Sequence, residues 1–508
     1  MAKHSDQDTI TRTRDLSEDT VGHEKPSLDI PKDMAFQDGV HEDDIRFFMD
    51  LKKKADYADV AAMSEYGLAL HKGDRVVQDI PKAIEYYKKA IVQDFPMAQN
   101  NYACLLQEGL GVDINIPEAL RLFEAAAREN YAPAQHNYAL FLYTGQAGYQ
   151  DFEQARYFFG QAADQDHKEA QFWYAYMMEA GLGGNEEPEK ARDYYMKAIE
   201  QNHLEAVFNY GILLHTGRGG EYDPEGAANC YALALEEGMP LASYSFGVML
   251  YTGEGVEQNY VAARHFLQEA VSANIPEAEL QLAHMYAQGE GGEEDLVAAK
   301  NLYASAAASG NDEAQYRYAY GLVKEGENLH VARYYMSEAA KAGHQGARYE
   351  YGILLEGGIG GEQNMTEARY YYKLGAQNGH TESLSRYGMM AEAGHGGAEN
   401  LEQARYCYKK AMDQGEMEAS FRYGHLCYQG LGGEEDLSAA FEAYKQAAKS
   451  GYGEAAYRCA FMCYYGQGVA QDEEKCRYFL TKALSAGHPY AQSNLVRLDT
   501  GEEFSVDG

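Results

Sequence analysis

No run of apolar residues in this 508-residue chain approaches the roughly 20 that a bilayer-spanning helix needs. Its opening stretch, MAKHSDQDTITRTRD, has charges but no apolar core behind them, which reads against a secretory signal. Cations are scarce: 43 Lys and Arg stand against 79 Asp and Glu, a formal net charge of −36. A grip on nucleic acid needs a Lys/Arg excess to neutralise phosphates, so that class of partner is excluded and proteins with basic surfaces are favoured. Cysteine is sparse as well. Seven residues, an odd number without regular spacing, do not make a disulfide framework and fit reduced thiols in the cytoplasm. There is no His-Glu-x-x-His, no Gly-x-Ser-x-Gly elbow and no Gly-Lys-Ser/Thr to complete a phosphate loop. The expectation is a cytoplasmic protein with no membrane span, no catalytic residue, no metal and no cofactor, with export by a signal-independent route left open.

What the chain does have is one unit copied at a period of about 36 residues. In the copy at 417–452, MEASFRYGHLCYQGLGGEEDLSAAFEAYKQAAKSGY, Ala419, Tyr423 and Leu426 fall at helical spacing. Gly430, Gly432 and Gly433 then break that helix. Asp436 opens a second one, whose apolar stripe is Ala440, Tyr444, Ala447 and Ala448, and Gly451 ends it. The second helices start at Asp79, Asn115, Asp151, Asp223, Asn259, Asp295, Asn328, Asn364, Asn400, Asp436 and Asp472, residues that cap free backbone N–H groups, with Glu187 as the exception. They carry alanine at a fixed inner position, from Ala83 to Ala440, and end at Gly or Asn. Small residues at every contact predict tight, uniform packing of hairpin on hairpin.

The Gly-x-Gly-Gly element between the helices, at 181–184, 217–220, 289–292, 358–361, 394–397 and 430–433, resembles that of the Sel-1-like repeat family, a branch of the tetratricopeptide-type helical repeats. The resemblance implies an all-α fold, a right-handed α/α superhelix of helix-turn-helix repeats, used as an adaptor in protein complexes, and it implies no reaction. The organisation expected is a disordered acidic segment at 1–41, a capping helix at 42–59, twelve repeats over 60–488, a partial repeat at 489–499 and an acidic tail at 500–508. Repeat 312–344 lacks three residues and has Lys324-Glu325-Gly326-Glu327 for its turn, which predicts a local change of curvature.

Cys459, Cys463, Cys476 and His488 form the one cluster that looks like metal ligands, but the cysteines stand at packing positions of the repeat and are read as core. The candidate contact surface is the outward side of the first helices. One position there runs Glu65, Asn101, Asn137, Trp173, Asn209, Ser245, Gln281, Arg317, Glu350, Arg386, Arg422, Arg458. Two features stand out as candidate partner-binding groups. Phe172, Trp173 and Tyr176 present aromatic anchors, against a plain packing role for Trp173. Arg317, Arg386, Arg422 and Arg458 form a basic row, each with a Glu four residues before it, so helical ion pairs are the favoured reading and a track for an acidic segment the alternative. The function expected is a non-catalytic scaffold for other proteins; the alternative is a groove that handles a small molecule or glycan with weak hydrolase activity.

Overall fold

The computed structural model describes residues 30–146 and 148–504. Residues 1–29, the bulk of the expected disordered segment, and 505–508 at the end of the expected tail lie outside them. Helix α1 is Glu42–Asp56, and the hairpins follow: α2 and α3 (Val60–Lys72, Ile80–Ile91), α4 and α5 (Pro96–Glu108, Ile116–Arg128), α6 and α7 (Ala132–Thr144, Phe152–Ala163), α8 and α9 (Lys168–Glu179, Pro188–Glu200), α10 and α11 (Leu204–Thr216, Pro224–Glu236). The series continues with α12 and α13 (Pro240–Thr252, Tyr260–Ser272), α14 and α15 (Pro276–Gln288, Leu296–Ala308), α16 and α17 (Asp312–Glu325, Leu329–Ala342), α18 and α19 (Gln345–Gly357, Met365–Gln377), α20 and α21 (Thr381–Ala393, Leu401–Asp413), α22 and α23 (Met417–Gln429, Leu437–Lys449), α24 and α25 (Gly453–Tyr465, Glu473–Ser485). Helix α26 is Ala491–Thr500. The described residues are all-α, a solenoid of tandem hairpins, and none of their helices is long and apolar enough to cross a membrane. The chain divides into two compact units, Met1–Cys230 and Tyr231–Gly508.

Local chemistry sets the helix ends. The Asp79, Asp151, Asp295 and Asp436 carboxylates each accept the backbone N–H three residues on, at 3.0, 3.0, 2.9 and 2.8 Å. Glu187 makes no such cap. Nor does Asn328, which is itself left-handed at φ 42°, because in the shortened repeat the missing residues come out of the turn; α16 and α17 have 14 residues each. In several hairpins the small residue beside the first-helix ring receives a second-helix tyrosine. A Cβ on Gly352 would stand 2.4 Å from the Tyr372 ring, and one on Gly388 2.7 Å from that of Tyr408. Both tyrosines are fully buried, as are the stripe alanines from Ala83 to Ala440.

Between hairpins the Gly-x-Gly-Gly turn does the joining. Gly396, at φ +70°, crosses the first turn of α19, and a Cβ there would come within 2.2 Å of the Met365 carbonyl oxygen. The next residue, Gly397, leaves room for Arg369 of α19. Its guanidinium donates to the His395 and Ala398 carbonyls at 3.2 and 2.9 Å. Arg156, Arg333 and Arg405 reach the turn of the following hairpin in the same way. Where the following turn ends in Val, the arginine is replaced by an apolar residue: Ile84 pairs with the turn ending at Val112, and Phe441 with that ending at Val469. Lys300, before the shortened repeat, instead reaches Glu325 and Glu327.

Two boundaries drawn from the sequence move. Residues 30–40 were placed in the disordered segment, yet Met34 is buried against α1 and the first hairpin, Phe36 pairs with Val76, and Asp33 lies 2.9 Å from Lys52. Phe504 was placed in the acidic tail, yet it is buried against Tyr457, Phe461 and Tyr464 and closes the apolar end of the last hairpins. In both cases one or two apolar side chains in a polar stretch cover an otherwise exposed end of a stack. In α1 the buried residues are Phe48, Leu51 and Ala55, while Phe47 is 56 % exposed.

Candidate partner-binding surface

Some first helices of neighbouring hairpins touch one another, α2 with α4 and α4 with α6 in the first unit and α12 with α14 in the second, so part of the first-helix side of each unit is a wall of helix on helix. The varying position followed in the sequence stands on this wall. It is also a joint. Tyr195 donates its hydroxyl to Glu179 at 2.9 Å, and Asn209 of the next first helix donates to the Tyr195 oxygen at 3.3 Å. In the second unit Tyr372 donates to Glu356 and Tyr408 to Glu392, at 2.8 and 2.7 Å, with Arg386 and Arg422 against the same two carboxylates at 3.8 and 3.3 Å. Burial first, and then the nearby carboxylate, push the Tyr372 hydroxyl up, which keeps it a donor.

The four arginines of the basic row therefore differ. Arg317, Arg422 and Arg458 bond the Glu one helical turn earlier, at 2.6, 2.8 and 2.8 Å. Two of those carboxylates also hold a histidine: Glu313 accepts His344, and Glu454 accepts His488. Burial alone would raise the Glu454 carboxyl, but hydrogen bonding from His488 and the charge of Arg458 hold it below its ordinary value. Arg386 breaks the pattern. Glu382, its expected partner, lies 3.4 Å from His380 instead, and Arg386 has Glu356 at 3.8 Å and the Tyr349 hydroxyl against its guanidinium. A cavity of about 360 Å³ opens beside it, lined by Tyr349, Glu382, Ser385, Met389, Glu416, Glu418, Arg386 and Arg422.

In the first unit the wall carries little charge: α6, APAQHNYALFLYT, has none. Asn137 donates to Asn100, and Asn100 to Asn101, at 2.9 and 3.1 Å. Phe172, Trp173 and Tyr176 form one half-buried aromatic layer. The Trp173 ring lies parallel to Phe159 with centroids 6.0 Å apart, and 5.1 Å from Tyr143, both of the preceding hairpin; Phe172 stacks on His203 at 4.6 Å. Trp173→Ala is expected to cost about 2 kcal/mol of first-unit stability in urea unfolding, because it removes two ring contacts across a joint. An unfolding midpoint unmoved by the substitution would make Trp173 a surface group alone.

The aromatic layer belongs to the first unit and the arginine row to the second. The latching arginines and the Glu–His and Glu–Arg pairs that run between hairpins were not found in the sequence, although each has a signal there, a constant offset. Glu454 and His488 are 34 residues apart, and Glu392 and Arg422 are 30. Cys459, Cys463 and Cys476 are buried in one apolar cluster, with burial pushing the thiols of Cys463 and Cys476 up to about 11 and about 12. Among the described residues no group of three or more His, Cys, Asp or Glu side chains is placed to hold a metal ion.

The chain of c5321, a protective antigen of uropathogenic Escherichia coli strains that displays an SLR fold, superposes with a TM-score of 0.68 at 22 % identity, covering 90 % of this chain and 98 % of that one. A Sel1 repeat protein from Oxalobacter formigenes matches at 24 % identity over 48 % of this chain and 96 % of its own, with a TM-score of 0.42. No curated protein matches in sequence. The Sel1 repeat model matches twelve times, at 60–93, 96–131, 132–167, 168–203, 204–239, 240–275, 276–311, 312–344, 346–380, 381–416, 418–452 and 453–488. With twelve copies spanning most of its length, each folded as a helical hairpin, this chain belongs to the Sel1 repeat family.

Proposed function

We propose that this chain is a non-catalytic scaffold that holds partner proteins against its walls of first helices. Proteins built of Sel1 repeats generally serve protein interaction. The observation that carries the reading is the contrast between two sets of positions in one repeat. The stripe alanines recur almost unchanged and are buried, and the second-helix position four residues on stays Tyr, Phe, Leu or Met, whereas the joint position passes from amide to Trp to Arg while keeping 35 to 51 % of each arginine side chain exposed. Uniform packing needs the first set alone; variation at half-exposed groups on one wall is what recognition of a guest requires. The net charge of −36 favours partners with basic surfaces.

The two units offer different chemistry. The wall of the first presents amides and rings, with Phe172, Trp173 and Tyr176 as apolar anchors, and that of the second presents paired Arg and Glu with Arg386 least committed. Cross-linking mass spectrometry of the tagged protein from its own cells tests the assignment. Cross-links to partners should concentrate beside α4 to α10 and α16 to α24 on the first-helix side. Concentration on the second helices, or turnover of a glycoside by the purified chain, would overturn it.

A further inference from the structure

We infer that the cavity beside Arg386 is a docking site for a single polypeptide carboxylate, an acidic side chain or a free C-terminus, carried next to a basic residue. The inference rests on the scaffold reading and deepens it. Every carboxylate around the cavity already has a partner. Glu418 bonds Arg422, Glu416 caps its helix by accepting the Ala419 and Glu418 backbone N–H groups, Glu382 faces His380, and Glu356 accepts the Tyr372 hydroxyl.

Arg386 is the arginine of the row with no carboxylate hydrogen-bonded to it; the Tyr349 hydroxyl lies against its guanidinium and takes up one of its donors. A guanidinium offers five N–H donors in a planar fork that matches a carboxylate in two parallel bonds, and the carboxylate nearest to Arg386 stands at 3.8 Å, beyond hydrogen-bond reach. Its side chain is 43 % exposed and gives onto the cavity of about 360 Å³. That space suits one or two side chains of a peptide. Met389 and the Tyr349 ring supply apolar wall, and the half-exposed Glu382 and Glu418 suit a neighbouring Lys or Arg of the guest. Arg317, Arg422 and Arg458 are each hydrogen-bonded to a Glu within the chain, so the row is not a continuous track for an acidic segment; Arg386 alone among the four has no carboxylate within hydrogen-bond reach.

Three fluorescein-labelled hexapeptides of one neutral frame containing a single Lys test this by fluorescence polarisation against the full chain. The first has a free C-terminus and no acidic side chain, the second is amidated with one Glu, and the third is amidated with Gln in place of that Glu. The first or the second is expected to bind at least tenfold tighter than the third, and whichever does so names the source of the carboxylate. Arg386→Gln should remove that difference, while Arg458→Gln, at an arginine already bonded to Glu454, should leave it; unchanged helical circular dichroism confirms that both variants fold. Equal binding of all three peptides, no binding of any, or full binding by Arg386→Gln overturns the inference. If cross-linked partners still sit on the first-helix walls after Arg386→Gln, the carboxylate site falls and the scaffold stands; if the unaltered chain captures none there, the scaffold itself falls.

Discussion

Gly396→Ala should destabilise the second unit by about 3 kcal/mol or more, one of the largest effects of any single methyl group in this chain. Two costs add. At φ +70° an L side chain meets its own backbone, and the new Cβ would lie 2.2 Å from the Met365 carbonyl oxygen and 2.6 Å from its carbon. Neither atom can step aside, since Met365 opens α19 and its carbonyl is held in the helix. Gly379→Ala is the matched control. Gly379 is also left-handed, at φ +80°, but has nothing within 4 Å of the added carbon, so about 1 kcal/mol of backbone strain is all that should appear. Urea unfolding with hydrogen exchange resolved to single hairpins reads both, because damage in a stacked array stays close to the altered joint. A Gly396→Ala protein no less stable than Gly379→Ala would mean that the turn lifts off α19 at no cost.

Arg156→Ile should cost about 2 kcal/mol on its own, and much less once Gly184→Val is added. The Arg156 side chain is 10 % exposed and donates to the Asn185 carbonyl at 2.8 Å and to the Glu187 carboxylate. Removing it takes that donor from both acceptors. The figure is kept low because Glu187 is a third exposed and also holds Lys190. Valine at 184 is the natural companion of an apolar residue at 156, as Val112 is of Ile84, whereas with Arg156 in place its Cβ would meet the guanidinium at 2.6 Å. The four proteins form a double-mutant cycle with an expected coupling of at least about 1 kcal/mol. Strict additivity would show that the arginine and the glycine are independent habits of the repeat and not one latch.

The two experiments bear on function through the same geometry. The position that carries Asn209, Arg386 and Arg422 reads the hydroxyl and carboxylate of the hairpin before it, so the joints that set the rotation between hairpins also set how the guest-facing groups are spaced. A partner that needs several of those groups at once is sensitive to a lost latch several residues away, through spacing and not through contact.

Much of the fold was legible in the chain. The caps at Asp79 or Asp436, the left-handed stops at Gly451 or Asn202 and the buried alanines all depend on residues within a turn or two of one another, and a motif repeated twelve times shows the same local answer twelve times. The candidate surface was legible only as a list of residues. That Trp173 would lie along Phe159, or that Arg386 would part from Glu382 while its three fellows kept their Glu, follows from how far one hairpin turns against the next.

By itself the sequence determined the helices, their ends, the period and the class of fold, because those rest on hydrogen bonds and steric limits that reach only a few residues along the chain. The tertiary structure decided what crosses between hairpins: the arginine latches on the glycine turns, the Glu–His and Glu–Arg pairs, the burial of Met34 and Phe504 at the ends, and the parting of Arg386 from Glu382. These turn on differences of a few tenths of an ångström in how closely side chains about 30 residues apart approach, which a period alone does not set.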